Sequence, residues 1–243
     1  MMQKAATLDP AWFLTRVALR RDAGVAALAP LLLPDEDGAR AEASHRLVWS
    51  LFPGDADATR DFLYREEGRG RVGRFTILSR RRPVDLHGLF AMEEPKIFAP
   101  ALKAGDRLAF ALRANPTVER KEPGQTRSLR SDVVMHRLKP IPKGDRAKMR
   151  DTLTREAIRN WLERQALRSG FQLVCTETTL RVDGYDQVRL PRRKGKPILF
   201  SRVDTEGVLE ITDPAEFIRR VTGGFGRAKA FGCGLMLIRR APK

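Results

Sequence analysis

The stretch EGVLEITDPAEFIRRVTGGFGRAKAFGCGLMLIRR, residues 206–240, decides the fold. It opens on a strand-like run, Val208 to Ile211. Asp213, Pro214 and Glu216 then start a short helix as N-cap, first-turn proline and capping-box acid. Phe217, Ile218 and Val221 give that helix one apolar face. Gly223 and Gly224 end it, because glycine tolerates the left-handed backbone that a helix C-terminus needs. A loop with Gly226, Arg227 and Lys229 follows, and Gly232 and Gly234 lead into the apolar run Leu235 to Ile238. The order is strand, helix, glycine loop, strand.

That order argues against the two familiar phosphate loops. A dinucleotide-binding fingerprint follows a strand and opens a helix, and a P-loop ends in Gly-Lys-Ser/Thr before a helix. Here the loop closes a helix and opens a strand, so a nucleotide cofactor is disfavoured and no cofactor is expected. A tight turn alone would account for the glycines. Five of them with Arg227 and Lys229 among them favour the backbone of a polyanion.

The charge of the whole chain points the same way. Its 243 residues carry a net +16, with a pI near 10.8, far from the range of an ordinary cytosolic enzyme of small metabolites. Such a field attracts nucleic acid or an anionic membrane. No apolar run approaches the roughly 20 residues of a membrane span, and no signal-peptide pattern opens the chain. Cys175 and Cys233 form no CxxC pair, so neither a zinc site nor a disulfide framework is indicated. The expected setting is cytoplasmic, with nucleic acid as partner and no membrane.

Outward from the deciding stretch, two rounds of one element order emerge. Phe13 to Leu19 alternates as a strand. Ala23 to Leu33 is apolar and reads as a short helix or a loop. Asp35, Glu36 and Asp37 begin a helix running to about Leu51, ended by Pro53-Gly54. Phe62 to Arg65 and Arg74 to Arg80 are strands around the turn Gly68 to Gly73; Val84 to Met92 reads as a short helix and Lys96 to Ala99 as a short strand. The second round begins with a strand at Arg107 to Ala114. The charged, Pro- and Gly-rich span 117–150 reads as a loop, and Thr154 to Ser169 as a helix with Ala157, Ile158, Trp161 and Leu162 on one face. Phe171 to Val182 and Ile198 to Ile211, the latter broken near Asp204 to Gly207, supply strands before the deciding stretch closes the unit. Two βαββαβ rounds describe an α+β chain of tandem ferredoxin-like domains, the layout of an RNA-recognition module, here residues 1–102 and 103–243.

Three histidines could carry chemistry: His45, His87 and His136. On the helix AEASHRLVWSLFP, Leu47, Val48 and Leu51 form the apolar face, while Glu42, His45, Arg46 and Trp49 fall on the wet side. His45 there is either an ordinary surface histidine or an acid–base group near pH 7. Asp35, Glu36 and Asp37 suit the first turn of a helix better than a magnesium site, so no metal is expected. Arg189, Arg192, Arg193, Lys194, Lys196 and Arg202 form a run without acids, and Pro191, Gly195 and Pro197 turn it into a hairpin whose cations project. Arg113, Arg120, Lys121, Arg127 and Arg130 make a looser second group.

HRLVWSLFPGDADATRDFLYR (45–65), FAPALKAGDRLAFALRANP (98–116) and residues 206–238 together resemble the repeat-processing endoribonucleases of type I-E CRISPR systems, the CasE family. The resemblance runs through both halves with the motifs in the family's order. It implies a metal-independent cut of precursor CRISPR RNA at the base of each repeat hairpin. The ribose 2′-hydroxyl would attack, leaving a 2′,3′-cyclic phosphate and a 5′-hydroxyl. It also implies that the mature guide hairpin stays bound within Cascade, beside other Cascade subunits. The family's catalytic histidine maps to His45, its glycine loop to Gly223–Gly234 with Lys229 as the loop's cation, and its basic hairpin to Arg189–Lys196. The tyrosine the family often places three residues before the histidine is Glu42 here. An RNA-hairpin-binding subunit without catalysis, and a basic assembly protein, are the rival readings.

Overall fold

The computed structural model describes residues 11–54, 58–67, 73–120, 129–174, 179–191 and 195–241. The first unit is a sheet of β1 (Phe13–Leu19), β2 (Phe62–Glu66), β3 (Arg74–Ser79), β4 (Phe90–Met92) and β5 (Lys96–Ile97), with helices α1 (Ala23–Leu32) and α2 (Asp37–Trp49) between β1 and β2. Its order is β2-β3-β1-β4, antiparallel throughout, with β5 also on β1. Alternation in β1 buries Thr15 and Val17. The Glu36 carboxylate caps α2 by accepting from the Gly38 and Ala39 amides, at 3.0 and 2.7 Å. Leu47, Val48 and Leu51 then pack on Phe62, Tyr64, Phe75 and Ile77 as one apolar cluster.

The helix expected over Val84–Met92 is not there. The Asp85 carboxylate accepts from the backbone amides of His87, Leu89 and Phe90. A side chain that satisfies those amides removes the need for a helical ladder. The chain passes straight into β4, so the strand order of a ferredoxin-like unit is kept without its second helix.

The second unit runs β6 (Arg107–Ala114), β7 (Thr117–Arg120), β8 (Leu129–Asp132), α3 (Val133–Leu138), α4 (Arg146–Ala166), β9 (Phe171–Leu173), β10 (Arg181–Leu190), β11 (Ile198–Ile211), α5 (Pro214–Gly223) and β12 (Met236–Arg240). Its main sheet is ordered β10-β11-β6-β12, with β9 on β11. Leu108, Phe110, Leu112 and Ala114 of β6 point inward together and meet Ala157, Ile158, Trp161 and Leu162 of α4, and Phe217 and Val221 of α5. The architecture is two ferredoxin-like units in tandem.

Four expectations for this half need correction. The span 117–150 is not a loop: β7 and β8 form a hairpin, α3 follows, and α4 starts at Arg146 rather than near Thr154. Its charges had hidden it, because Glu119 and Arg130 pair across the hairpin and the first turns of α4 are exposed. Phe171–Val182 is not one strand but β9 and the start of β10, both paired with β11. β11 is unbroken at Asp204–Gly207; the register shift lies opposite, between Asp183 and Asp186. Asp213 does cap α5, but Glu216 binds Arg219 instead of closing a capping box.

Polar side chains hold the two units together. Asp204 of β11 receives Arg65 of β2 at 3.0 Å and Arg113 of β6 at 2.8 Å. Arg202 reaches Asp37 at 2.6 Å. Gly38, at the start of α2, lies so close to β10 that a Cβ there would sit 2.0 Å from the Arg189 carbonyl oxygen. That contact sets the α2 helix beside the basic hairpin.

Candidate nucleic-acid interface and catalytic centre

His45 does not stand on a wet face. The side of α2 opposite the first core is covered by the glycine loop of the second unit, and the imidazole is half-buried there. Its ring lies 6.2 Å from Trp49 and 6.0 Å from Phe231, centroid to centroid. Phe231 in turn stacks on Phe200 of β11, at 5.4 Å and 18°. The sequence periodicity of α2 was right; the neighbour that dries its second face comes from nearly two hundred residues away.

The loop is held in a constrained shape. Gly226 has φ 70°, and a Cβ on it would come 2.7 Å from the Asn115 carbonyl oxygen. Asn115 and Arg227 form an isolated antiparallel bridge at that point. Ala228 adopts φ 51°, the only positive φ on a non-glycine residue among those described. A left-handed alanine costs about 1 kcal/mol, and such strain persists only where surrounding contacts impose it. It turns the chain into a single 3-10 turn, Lys229–Phe231, that carries Phe231 to His45 and leaves Lys229 on the same turn. Tyr64, buried in the first core, donates its hydroxyl to the Ala230 carbonyl at 3.0 Å and fixes the turn from below. Burial drives the Tyr64 pKa far up, so it serves as a neutral hydrogen-bond donor.

The electrostatics follow from this crowding. Burial lowers the His45 pKa, and the Arg60 guanidinium lowers it further, against a hydrogen bond with the Ala230 backbone and the more distant Glu42. The imidazole is therefore neutral at pH 7, and its Nδ1 is buried without a hydrogen-bond partner. Burial, then Arg220, Arg60 and Arg227, lowers the Lys229 pKa as well. Its ammonium is held by the Gly223 carbonyl at 2.5 Å. Arg60 is half-buried with Nη1 enclosed and unpartnered, and burial depresses its own pKa. Sequence reading missed Arg60 and Phe231, whose relation to His45 is entirely tertiary. Glu42, in the position of the family tyrosine, pairs with Arg46 at 3.3 Å on the exposed surface.

The remaining sequence-selected cations separate into groups. Arg189 and Lys196 are exposed at the ends of the hairpin between β10 and β11, and Arg227 is exposed on the loop. Arg192, Arg193, Lys194 and Arg127 lie outside the described residues. Arg130 is engaged by Glu119. Arg113 is largely buried, with Nε and Nη2 on Asp204 and Nη1 on the Glu66 carbonyl, so its guanidinium is taken up inside the protein. Gly223, Gly224, Gly226, Gly232 and Gly234 all fall in or at the ends of the one loop that meets His45. Among the described residues no group of three His, Cys, Asp or Glu side chains is placed to hold a metal ion, and no helix is long and apolar enough to cross a membrane.

The chain is thus a tandem ferredoxin-like protein whose two units enclose one neutral histidine among cations. The model of a family described as CRISPR associated protein matches residues 12–240. The Cascade subunit CasE of Escherichia coli K12 is 30% identical over 198 residues, covering 79% of this chain and 88% of that one. The CRISPR-associated endoribonuclease Cse3 of Thermus thermophilus is 30% identical over 151 residues, 59% of this chain and 61% of that relative's length. A solved structure of Thermus thermophilus Cse3, bound to an RNA representing a pre-cleavage complex, superposes with a TM-score of 0.66 at 25% identity, covering 96% of this chain and all of that one. The chain belongs to the CRISPR-associated protein family, in its CasE endoribonuclease branch.

Proposed function

We propose that this protein is a metal-independent endoribonuclease that cuts precursor CRISPR RNA at the base of the repeat hairpin. It keeps the mature guide hairpin as a subunit of Cascade in the cytoplasm. The observation that carries the reading is the neutral His45 imidazole, enclosed by Trp49 and Phe231, with the Arg60 charge acting on it and Lys229 on the 3-10 turn that brings Phe231 in. Family membership and the RNA-bound relative support the substrate class. The domain boundary we assign is 102/103, with His45 in the first domain and the hairpin and loop in the second.

The reaction needs a base for the 2′-hydroxyl, cations for the phosphorane and an acid for the leaving 5′-oxygen. His45, unprotonated at neutral pH, takes the 2′ proton as that oxygen attacks phosphorus. Arg60 and Lys229 offset the charge that accumulates on the phosphoryl oxygens. The P–O5′ bond then breaks, and the depressed pKa of Lys229 makes its ammonium the readier acid for the leaving oxygen. The products are a 2′,3′-cyclic phosphate and a 5′-hydroxyl. Glu42, tied to Arg46, takes no part. Arg189, Arg192, Arg193, Lys194 and Lys196 hold the phosphates of the stem, and Arg227, on the loop, holds a phosphate near the cut.

The test is incubation with the repeat RNA of the protein's own CRISPR locus in EDTA, beside His45→Ala. The expected result is one cut with a cyclic phosphate end by the wild type, a roughly 10²–10⁴-fold slower cut by the variant, and equal binding by both. Tight binding with no cut by either protein would establish an RNA-hairpin-binding subunit without catalysis instead.

A further inference from the structure

Beside Phe231 the structure holds a cleft of about 470 Å³, within the size range of small-ligand sites. Three segments wall it: the β7–β8 hairpin, the adjoining ends of β10 and β11, and the glycine loop. Its apolar surface is Phe200, Leu199 and Ile198, and Leu199 is 66% exposed. Around these stand Asn115, Thr117, Ser131 and Gln187, which bring amides and hydroxyls, and the cations Arg227 and Arg130. Asp132 lies on the same wall. Its Oδ1 accepts from Tyr185 and from the first amides of α3, while Oδ2 is buried with no hydrogen-bond partner.

Aromatic and aliphatic faces, hydrogen-bonding groups and a cation in one small cleft match one chemistry, an unpaired nucleotide. A base stacks on the apolar side chains and is read along its edge, and its phosphate meets the arginine. A duplex is far too wide to enter a space of this size. The position is as telling as the composition. Phe231 has the catalytic imidazole at 6.0 Å and the cleft's Phe200 at 5.4 Å, so one aromatic side chain joins the two sites. A strand whose scissile phosphate sits at His45 has its next residue within reach of the cleft.

We propose that this cleft binds an unpaired nucleotide adjoining the scissile phosphate, through stacking on Phe200 and Leu199, an edge contact to Gln187, and a phosphate contact to Arg227. The proposal rests on the endoribonuclease reading above and adds a determinant outside the hairpin. The protein would then select the single-stranded flank as well as the stem.

The test compares three RNAs that share one stem and carry a 2′-deoxy sugar at the mapped cut: the intact repeat, the repeat with abasic sugars at the two unpaired positions beside the cut, and the stem alone. Each is titrated against the wild-type chain and against Gln187→Ala/Leu199→Ala, whose side chains are exposed. All-ribo versions are cut in parallel. The wild type should bind the intact RNA about 5- to 100-fold tighter than the abasic RNA. The double variant should bind both as the wild type binds the abasic one. Equal affinity and cleavage of intact and abasic RNA by the wild type would overturn the cleft's assignment while leaving hairpin processing standing. So would a base-removal penalty that persists at full size in the variant. Failure to bind or cut even the stem would overturn both.

Discussion

Arg60→Gln separates a residue kept for catalysis from one kept for stability. The guanidinium is half-buried, its Nη1 is enclosed without a partner, and burial lowers its own pKa. Its charge is therefore held at a cost to the folded state, and removing the charge relieves that cost. Thermal stability should stay within about 1 kcal/mol of wild type, or roughly 2–4 °C in Tm for a chain of this size. The reaction should respond in the opposite sense. Losing one preorganised cation at a developing oxyanion costs about 10²–10³-fold in rate. Arg60 is also the second-largest cause of the lowered His45 pKa, so the acid limb of the pH–rate profile should move to higher pH as the imidazole regains protons. Arg60→Lys, which keeps a cation, should restore part of the rate and return the limb. The assay is single-turnover cleavage at saturating RNA in EDTA across pH, with Tm measured on the same samples. An unchanged rate in Arg60→Gln would refute the reasoning, as would a rate loss accompanied by a large fall in Tm and no movement of the pH profile.

Other consequences are as direct. For the wild type, the cleavage rate should rise from acid pH with an apparent pKa below the ordinary histidine value of about 6.5 and be level through neutrality; an acid limb above that value would remove His45 as the base. Neutralising Arg189 and Lys196 should weaken hairpin binding and reduce the slope of log K against log salt by about 0.9 for each phosphate that no longer meets a cation; an unchanged slope would take these two residues off the RNA. Asp204→Asn leaves Arg65 and Arg113 without their shared carboxylate, and all three side chains are at most 30% exposed. A destabilisation of about 2–3 kcal/mol is expected, read as a fall in Tm with hairpin binding unchanged; an unchanged Tm would show that this ion pair does not hold the units together.

What the sequence made legible was local. Caps and stops placed α2 and α5, alternation placed β1 and β6, and the glycine loop stood out because its residues are contiguous. Where the reading went wrong, a side chain had satisfied backbone or charge in a way that spacing does not reveal. Asp85 took three amides that a helix would have used. Glu119 and Arg130 cancelled across a hairpin whose composition looked like solvent-exposed loop. Of the site, His45 and Lys229 could be picked from motifs. Arg60 could not, because nothing in ADATRDF distinguishes it from a surface arginine until the second unit closes over it.

The same closure divides a charge of +16 into two kinds of cation. Arg40 on Glu66, Arg65 and Arg113 on Asp204, and Arg202 on Asp37 are consumed within the protein, two of the four pairs between the two units. They fix the distance from α2 to the glycine loop, and with it the enclosure of His45. Arg189, Lys196 and Arg227 stay exposed on segments that surround that enclosure. A net charge alone predicts attraction to any polyanion. On the proposed reading, selection of one phosphate among many requires the first kind of cation, because a rigid junction between the units keeps the imidazole, the half-buried cations and the strained loop in place while the exposed cations would take hold of the strand.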